Sequence, residues 1–130
     1  MAERPDSADD PFRERVGVDL VRASDGAATA ELTLAESHLN VHGTPHGGAL
    51  YTLADAAFDA AENAADVDAV ALETSMSYLE ACGVGETLAA SAERRHDRGR
   101  TALYAVAVRD EAGDLVAEFP GRVYKVESSA

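Results

Sequence analysis

Residues 38–50 (HLNVHGTPHGGAL) contain most of the groups in this chain that could do chemistry. Gly47 and Gly48 stand where an apolar, helix-forming stretch begins. The start of a helix exposes unpaired N–H groups and the positive end of the helix dipole, and glycine lets a ligand approach that backbone closely. These amides could hold an oxygen that gains negative charge in a transition state. Asn40 and His46, just upstream, could add polar contacts.

The same stretch carries a carboxylate at Asp55. On an otherwise Ala/Leu-rich helix a carboxylate is costly unless it is paired, hydrated or used, and it could serve as a nucleophile or a general base. Eight residues of helix place Asp55 about 12 Å along the axis from Gly47 and rotate it by roughly 80°. One chain's Asp55 therefore cannot easily reach a small group bound at its own Gly47. If both act on one carbonyl, we expect a two-fold dimer with two equivalent sites at its interface.

Simpler interpretations exist for the same residues. Asp55 could be a solvated charge, because Asp59 and Glu62 continue a polar stripe at i+4 and i+7. Gly47 and Gly48 could merely allow tight packing of the helix start.

A metal site is a further alternative, because His38, His42 and His46 are spaced four residues apart. On a helix they would share a face, but Gly43 and Pro45 interrupt any helix there. We therefore predict no metal and no redox cofactor.

The elements that position these residues follow from the hydrophobic periodicity. Asp10 and Pro11 favour a short helix start, and the alanine-rich stretch 47–65 favours a long, buried helix. Pro120 and Gly121 indicate a bulge or an edge. Strands are predicted over 16–23, 28–34, 70–78, 88–92, 103–108 and 115–126. This order predicts an α+β fold in which one long central helix packs on a six-stranded antiparallel sheet.

Composition limits the class of protein. The 130 residues suffice for one domain, which we assign to residues 11–126, with a flexible acidic N-terminus (1–10) and a tail (127–130). The formal net charge of -13 disfavours nucleic acid and anionic membranes as partners. No apolar run reaches the length of a membrane helix, and no secretory signal is visible, so we predict a cytoplasmic protein. The single cysteine, Cys82, excludes an internal disulfide and is expected to be a buried small residue.

The residue usage is also unusual. The chain has 27 alanines, ten arginines, one lysine and no Ile, Gln or Trp. An acidic, lysine-poor surface resembles the proteins of salt-loving archaea, in which molar salt screens the self-repulsion. The alternative is an acidic protein from a mesophile.

The motif Asn40-x2-Gly43-x2-His46-Gly47-Gly48, followed by Asp55, resembles the signature of hotdog-fold acyl-CoA thioesterases. The nearest type is the phenylacetate-degradation (PaaI-like) thioesterase family, and the element order matches that fold over nearly the whole chain. The resemblance implies hydrolysis of an acyl-CoA, an aryl-CoA among the candidates, by a homodimer or homotetramer. A non-catalytic acyl-CoA-binding or sensing module on the same fold is the alternative.

The resemblance also implies roles for individual residues. The Gly47 amide would polarise the thioester carbonyl, Asn40 would contact the carbonyl or the attacking water, and His46 would support the loop. Asp55 from the partner subunit would attack the carbonyl or activate water. Gly48 would assist in binding the substrate.

Two further groups of residues are assigned to the substrate. Relatives often carry a Ser or Thr on the strand after the helix; here Ala71 aligns there, with Thr74 and Ser75 nearby. The basic cluster of Arg94, Arg95, Arg98 and Arg100 suits phosphate recognition. We assign Arg98 and Arg100 to the nucleotide end of coenzyme A, with a surface salt-bridge set as the alternative.

Overall fold

The computed structural model describes residues 10–64 and 68–126. The predictions for residues 1–9, for Ala65 at the helix end and for the tail 127–130 lie outside the described residues. The elements are α1 (Pro11–Val16), β1 (Asp19–Ser24), β2 (Ala27–Thr33), α2 (Gly47–Asn63), β3 (Asp68–Thr74), β4 (Ser77–Tyr78), β5 (Thr87–Arg98), β6 (Thr101–Arg109) and β7 (Leu115–Val126). Neither helix of the described part is long and apolar enough to cross a membrane.

All the strands in the described part of the chain join one antiparallel sheet around α2. The strand order is β1-β2-β5-β6-β7-β3, and the short β4 also pairs with β7. Most of the contacts of α2 with the sheet are made to β2 and β5. The α+β arrangement of one long central helix and an antiparallel sheet is therefore confirmed.

The sequence explains why α2 is buried. Alanine is the best helix former, and its small side chain lets the strands approach closely. The buried residues of α2 are Ala49, Leu50, Leu53, Ala54, Ala56, Ala57, Phe58, Ala61 and Glu62. Opposite them, residues of alternate positions in the strands face inward, as the pleat requires; they include Leu88, Ala90, Ala92, Tyr104, Val106 and Val108.

The first helix is longer than the sequence predicts. Asp10 caps its start by accepting a hydrogen bond from the Arg13 N–H at 3.1 Å, and Pro11 takes the first helical position. Gly17 ends it at a φ of 94°, a left-handed conformation that glycine adopts without strain. Because the helix runs to Val16, the prediction that the first strand begins there was wrong, and β1 begins at Asp19.

The strand predicted over 70–78 is divided into β3 and β4, so the sheet formed by the described residues has seven strands and not six. Pro120 of β7 lies opposite the break, where its carbonyl accepts the Ser75 N–H at 3.1 Å. A proline has no N–H to donate to a ladder. β7 is not an edge strand, because β6 pairs with its other side. Pro120 therefore marks an interruption in the ladder of a neighbouring strand.

Gly121 makes room for the largest fully buried side chain on α2. A Cβ at this position would lie 2.8 Å from two ring atoms of Phe58. Phe58 is 1% exposed and packs edge-on against Tyr104, with ring centroids 5.7 Å apart. It also contacts Phe119, at a centroid distance of 5.5 Å. The ring has little space to move, because buried groups on several sides surround it.

We predict that Gly121→Ala lowers the free energy of unfolding by about 1–3 kcal/mol, the usual effect of overpacking a core. Urea denaturation in molar KCl measures it. Gly83→Ala is the matched control, because a Cβ there meets only Glu86 Oε2 at 3.7 Å. Adding Phe58→Leu to Gly121→Ala should recover part of the loss. Equal stability of the Gly121 and Gly83 variants would contradict this account.

Candidate active site

Hydrogen bonds to Asn40 hold together the loop that precedes α2. Its Oδ1 accepts hydrogen bonds from the His42 N–H at 2.8 Å and from the Thr44 N–H and hydroxyl at 3.2 Å. The Asn40 N–H donates to the Thr44 carbonyl, and Gly43 adopts a φ of 80° within the turn. Because three donors converge on Oδ1, the Nδ2 amide group of Asn40 is the part that remains for a ligand.

His46 caps the start of α2. Its Nδ1 accepts the Gly48 N–H at 2.8 Å, so the proton of the neutral ring lies on Nε2. The Gly48 amide, which the sequence assigned to substrate binding, is thereby occupied within the chain. The Gly47 N–H has no acceptor among the described residues. It is therefore the open amide at this helix start.

Asp55 lies in the middle of α2 and is exposed to solvent in the single chain. Surrounding protein atoms displace much of its water, and the carboxylates of Asp59 and Asp10 add repulsion. Together these effects raise the pKa of Asp55 to about 6. Asp10 is the cap of α1, which packs against α2. Because Gly47 and Asp55 belong to one continuous helix, their separation of about 12 Å along the axis holds.

Glu62 is not part of a solvated stripe, because it is only 7% exposed. Its Oε1 accepts a hydrogen bond from Asn63 at 3.4 Å, whereas Oε2 has no partner among the described residues. Burial raises its pKa to about 8, with smaller contributions from the charges of Asp59 and Asp55. The sequence pattern missed this, because helical spacing does not show how far the sheet wraps around the helix end.

The site contains two tyrosines that the sequence analysis did not select. The Tyr78 hydroxyl donates to the Gly47 carbonyl at 3.0 Å, and the Tyr51 hydroxyl shares a hydrogen bond with Thr74 Oγ1. Thr74 is therefore brought to the first half of α2, as its assignment requires. Ser75 lies in the break between β3 and β4, exposed, with its N–H bonded to Pro120. Spacing alone could not identify these tyrosines. Tyr78 meets α2 only through the fold, and Tyr51, which lies on α2, meets Thr74 only through the fold.

The arginines of the basic cluster have different surroundings in the structure. Arg94 forms an ion pair with Asp25 at 2.9 Å. Arg98 and Arg100 lie exposed at the β5–β6 turn, where Arg100 donates to the Tyr124 hydroxyl at 3.2 Å. Asp97, directly before this turn, lines one pocket with Glu62 from the end of α2. Within one chain, Arg98 and Arg100 are thus far from Gly47, and the structure does not bring them into its site.

Two further residues of metal-ligating type, His38 and Cys82, have structural contacts. His38 Nε2 donates to the Val16 carbonyl, and His38 Nδ1 accepts the Ala35 N–H at 2.9 Å. Cys82 is half-buried and packs against the core, and burial raises the pKa of its thiol. In residues 10–64 and 68–126, no group of three or more His, Cys, Asp or Glu could hold a metal ion.

A large cavity on the sheet of the described residues is not lined by any of the predicted site residues. That cavity, of about 610 Å³, is formed by residues of β1, β2, β5, β6 and β7 and lacks any residue of α2. The open Gly47 amide and Asp55 lie outside it.

Comparison with known proteins identifies relatives over most of the chain. Residues 42–117 match the family model of the thioesterase superfamily. Acyl-coenzyme A thioesterase PaaI of Escherichia coli K12 is 32% identical over 90% of this chain and 84% of its own. A mutant of the phenylacetic acid degradation protein PaaI from Thermus thermophilus has a TM-score of 0.85 and 41% identity, covering 90% of this chain and 100% of that chain. A Streptococcus mutans protein bound to acetyl-CoA has a TM-score of 0.80 and 25% identity, covering 88% and 92%.

We predict that Glu62→Gln makes the protein progressively more stable than the wild type as the pH rises from about 4.5 to about 8. The folded state holds the Glu62 proton up to about pH 8, but the unfolded chain releases it near the ordinary value of 4.5. Between these values the folded state binds more protons than the unfolded chain. The free energy of unfolding of the wild type therefore falls by up to about 1.4 kcal/mol per pH unit relative to that of the variant. Urea denaturation at several pH values in molar KCl measures the difference.

Glu111→Gln, an exposed position in the β6–β7 turn, is the control and should follow the wild type. A Glu62→Gln difference that does not change with pH would contradict the raised pKa.

Proposed function

The chain belongs to the thioesterase superfamily and has its hotdog fold, and from that premise we propose how it hydrolyses an acyl-CoA thioester to the free acid and coenzyme A. It is a thioester hydrolase; the acting residues and the acyl group are our proposal. One observation carries it: the open Gly47 amide at the start of α2, next to the loop that fixes Asn40. The names of the E. coli relative and of the acetyl-CoA-bound neighbour support coenzyme A as the carrier.

The thioester carbonyl binds at the start of α2. The Gly47 N–H donates to its oxygen, and the positive end of the helix dipole stabilises the negative charge that develops there. The Asn40 Nδ2 group donates to the same oxygen or to the water, because its Oδ1 is already used within the loop. His46 supports this arrangement as the cap of α2.

Asp55 of the partner subunit completes the reaction by one of two routes. As a general base it takes a proton from water, the hydroxide adds to the carbonyl carbon, and the C–S bond breaks to release the coenzyme A thiolate. As a nucleophile its carboxylate adds to the same carbon and displaces the thiolate, and water then hydrolyses the mixed anhydride. In both routes the products are the free acid and coenzyme A, with the thiolate taking up the proton.

The exposed edge of β3 supports a dimer. Among the described strands β3 pairs only with β7, and its other edge is free to pair with a second chain. Val70 and Leu72 on this strand are 52% and 50% exposed, which is unusual for large apolar residues side by side in a sheet. A two-fold dimer across this edge would cover them and bring a second α2 near the first, as a shared site requires.

Finer features of the proposal concern substrate, assembly and setting. An aryl-acyl group fits the resemblance, with Thr74 and Ser75 near it. Arg98 and Arg100 would meet the coenzyme A phosphates only from another subunit. We further propose a homotetramer of two dimers, a high-salt environment and a cytoplasmic location. The formal net charge of -13 favours the high-salt environment, because salt screens the repulsion between like charges.

We predict that Asp55→Ala and Asp55→Asn lower kcat on the order of 10²- to 10⁴-fold, the usual contribution of a positioned acid–base group, while the dimer survives. Thiol release from a panel of aryl and aliphatic acyl-CoAs in molar KCl measures activity, and size-exclusion chromatography measures assembly. Asp19→Asn, an exposed carboxylate on β1, is the matched control. Retained activity of the Asp55 variants would refute the assigned role, and binding without turnover by the wild type would favour a sensing module.

We also predict the pH profile. Asp55 must be ionised to act, so kcat/KM should rise about tenfold per pH unit below about pH 6 and level off above it. Asp59→Asn removes a carboxylate that raises the pKa of Asp55, and should move the acidic limb to lower pH with the plateau preserved. Glu111→Gln should leave the limb in place. A limb that moves to higher pH in Asp59→Asn would contradict the assignment.

A further inference from the structure

The peptide group between Gly47 and Gly48 is held by side chains at both ends. Its carbonyl oxygen accepts the Tyr78 hydroxyl at 3.0 Å. Its N–H donates to His46 Nδ1 at 2.8 Å. A peptide group is planar and moves as one unit, so these two hydrogen bonds fix its orientation from opposite sides.

The hydrogen bond on the His46 side closes a small ring that contains the open amide. The ring runs from the His46 side chain through the Gly48 N–H and back along the chain to the His46 Cα. It therefore includes the peptide group that carries the Gly47 N–H. Tyr78, which comes from β4 and not from α2, ties this ring to the sheet.

A separate observation shows how closely Tyr78 lies against this backbone. A Cβ at Gly47 would be 2.9 Å from the Tyr78 hydroxyl oxygen and 3.0 Å from its Cζ. A side chain at position 47 would therefore have to displace the Tyr78 ring and would also occupy the space of any ligand. Burial raises the pKa of the Tyr78 phenol, so the hydroxyl remains a donor well above neutral pH.

We infer that Tyr78 is a positioning residue for the thioesterase reaction: its hydroxyl holds the Gly47–Gly48 peptide so that the Gly47 N–H points at the substrate carbonyl. This inference rests on the proposed function of Gly47. Two adjacent glycines have more conformational freedom than any other pair, and an oxyanion donor acts only if it is oriented before the reaction. The hydrogen bond to the carbonyl also polarises the peptide, which strengthens the Gly48 N–H bond to His46.

The test removes only the hydroxyl. Tyr78→Phe should lower kcat on the order of tenfold with little change in KM, a smaller loss than the roughly 10²- to 10³-fold that follows removal of an oxyanion donor itself. Tyr104→Phe is the matched control, because that buried tyrosine lies on β6 and packs against Phe58. It should leave kcat unchanged at temperatures where it is folded.

A double-mutant cycle separates positioning from general destabilisation. If Tyr78 acts through the Gly47–Gly48 peptide, Tyr78→Phe should lower kcat by a clearly smaller factor in a His46→Ala background than in the wild type. In that background the peptide has already lost one of its two hydrogen bonds to side chains. Equal losses in both backgrounds would overturn the inference.

Glycine-labelled protein gives a readout that does not depend on activity. Gly47-Gly48 is the only adjacent pair among the ten glycines, so protein labelled with [1-¹³C,¹⁵N]glycine gives one ¹³C′–¹⁵N-coupled amide, that of Gly48. Tyr78→Phe should shift this signal, and Tyr104→Phe should not. A shift without any thioesterase activity in the wild type would refute the proposed function but leave the contact; an unmoved signal, or a shift with unchanged kcat, would refute the positioning role.

Discussion

The packing of α2 into the inner face of the sheet is the constraint on which the rest of the structure depends. Ala54, Ala57 and Ala61 are fully buried, and such small side chains let the strands come close to the helix axis. Phe58 then fills the larger space left by Gly121. Because α2 is held along its whole length, Gly47 and Asp55 keep a fixed separation, and neither can move toward the other within a chain.

Placing several carboxylates on this helix has different electrostatic consequences at each position. Asp55 reaches solvent in part, and its pKa of about 6 leaves it mostly ionised at neutral pH. Glu62, two turns later, is enclosed and has a pKa of about 8, so it is mostly neutral there. Molar salt screens the repulsion between exposed charges over about 3 Å, but it does not restore water to a buried group. The neutral state of Glu62 therefore persists in salt.

The sequence predicted what depends on local pattern and missed what depends on distant contacts. The α2 start at Gly47 and the inward residues of β5, such as Leu88 and Ala90, follow from helix propensity and alternation. The break between β3 and β4 was missed because its cause, Pro120, lies on another strand. Burial of Glu62 and the reach of Tyr78 to Gly47 likewise depend on the curvature of the sheet, which no window of residues contains.

In the proposed mechanism, the glycines at the start of α2 have opposing effects. A side chain at Gly47 would collide with the Tyr78 ring and with a ligand, but its absence frees the backbone whose orientation the proposed reaction requires. Two hydrogen bonds restrict that freedom. One is made by His46, which is adjacent in the sequence motif, and the other by Tyr78, which lies on a strand of the sheet. The order of the helix start is therefore coupled to the packing of β4 on β7. A substitution on that strand edge can change the geometry at Gly47 without contacting a substrate.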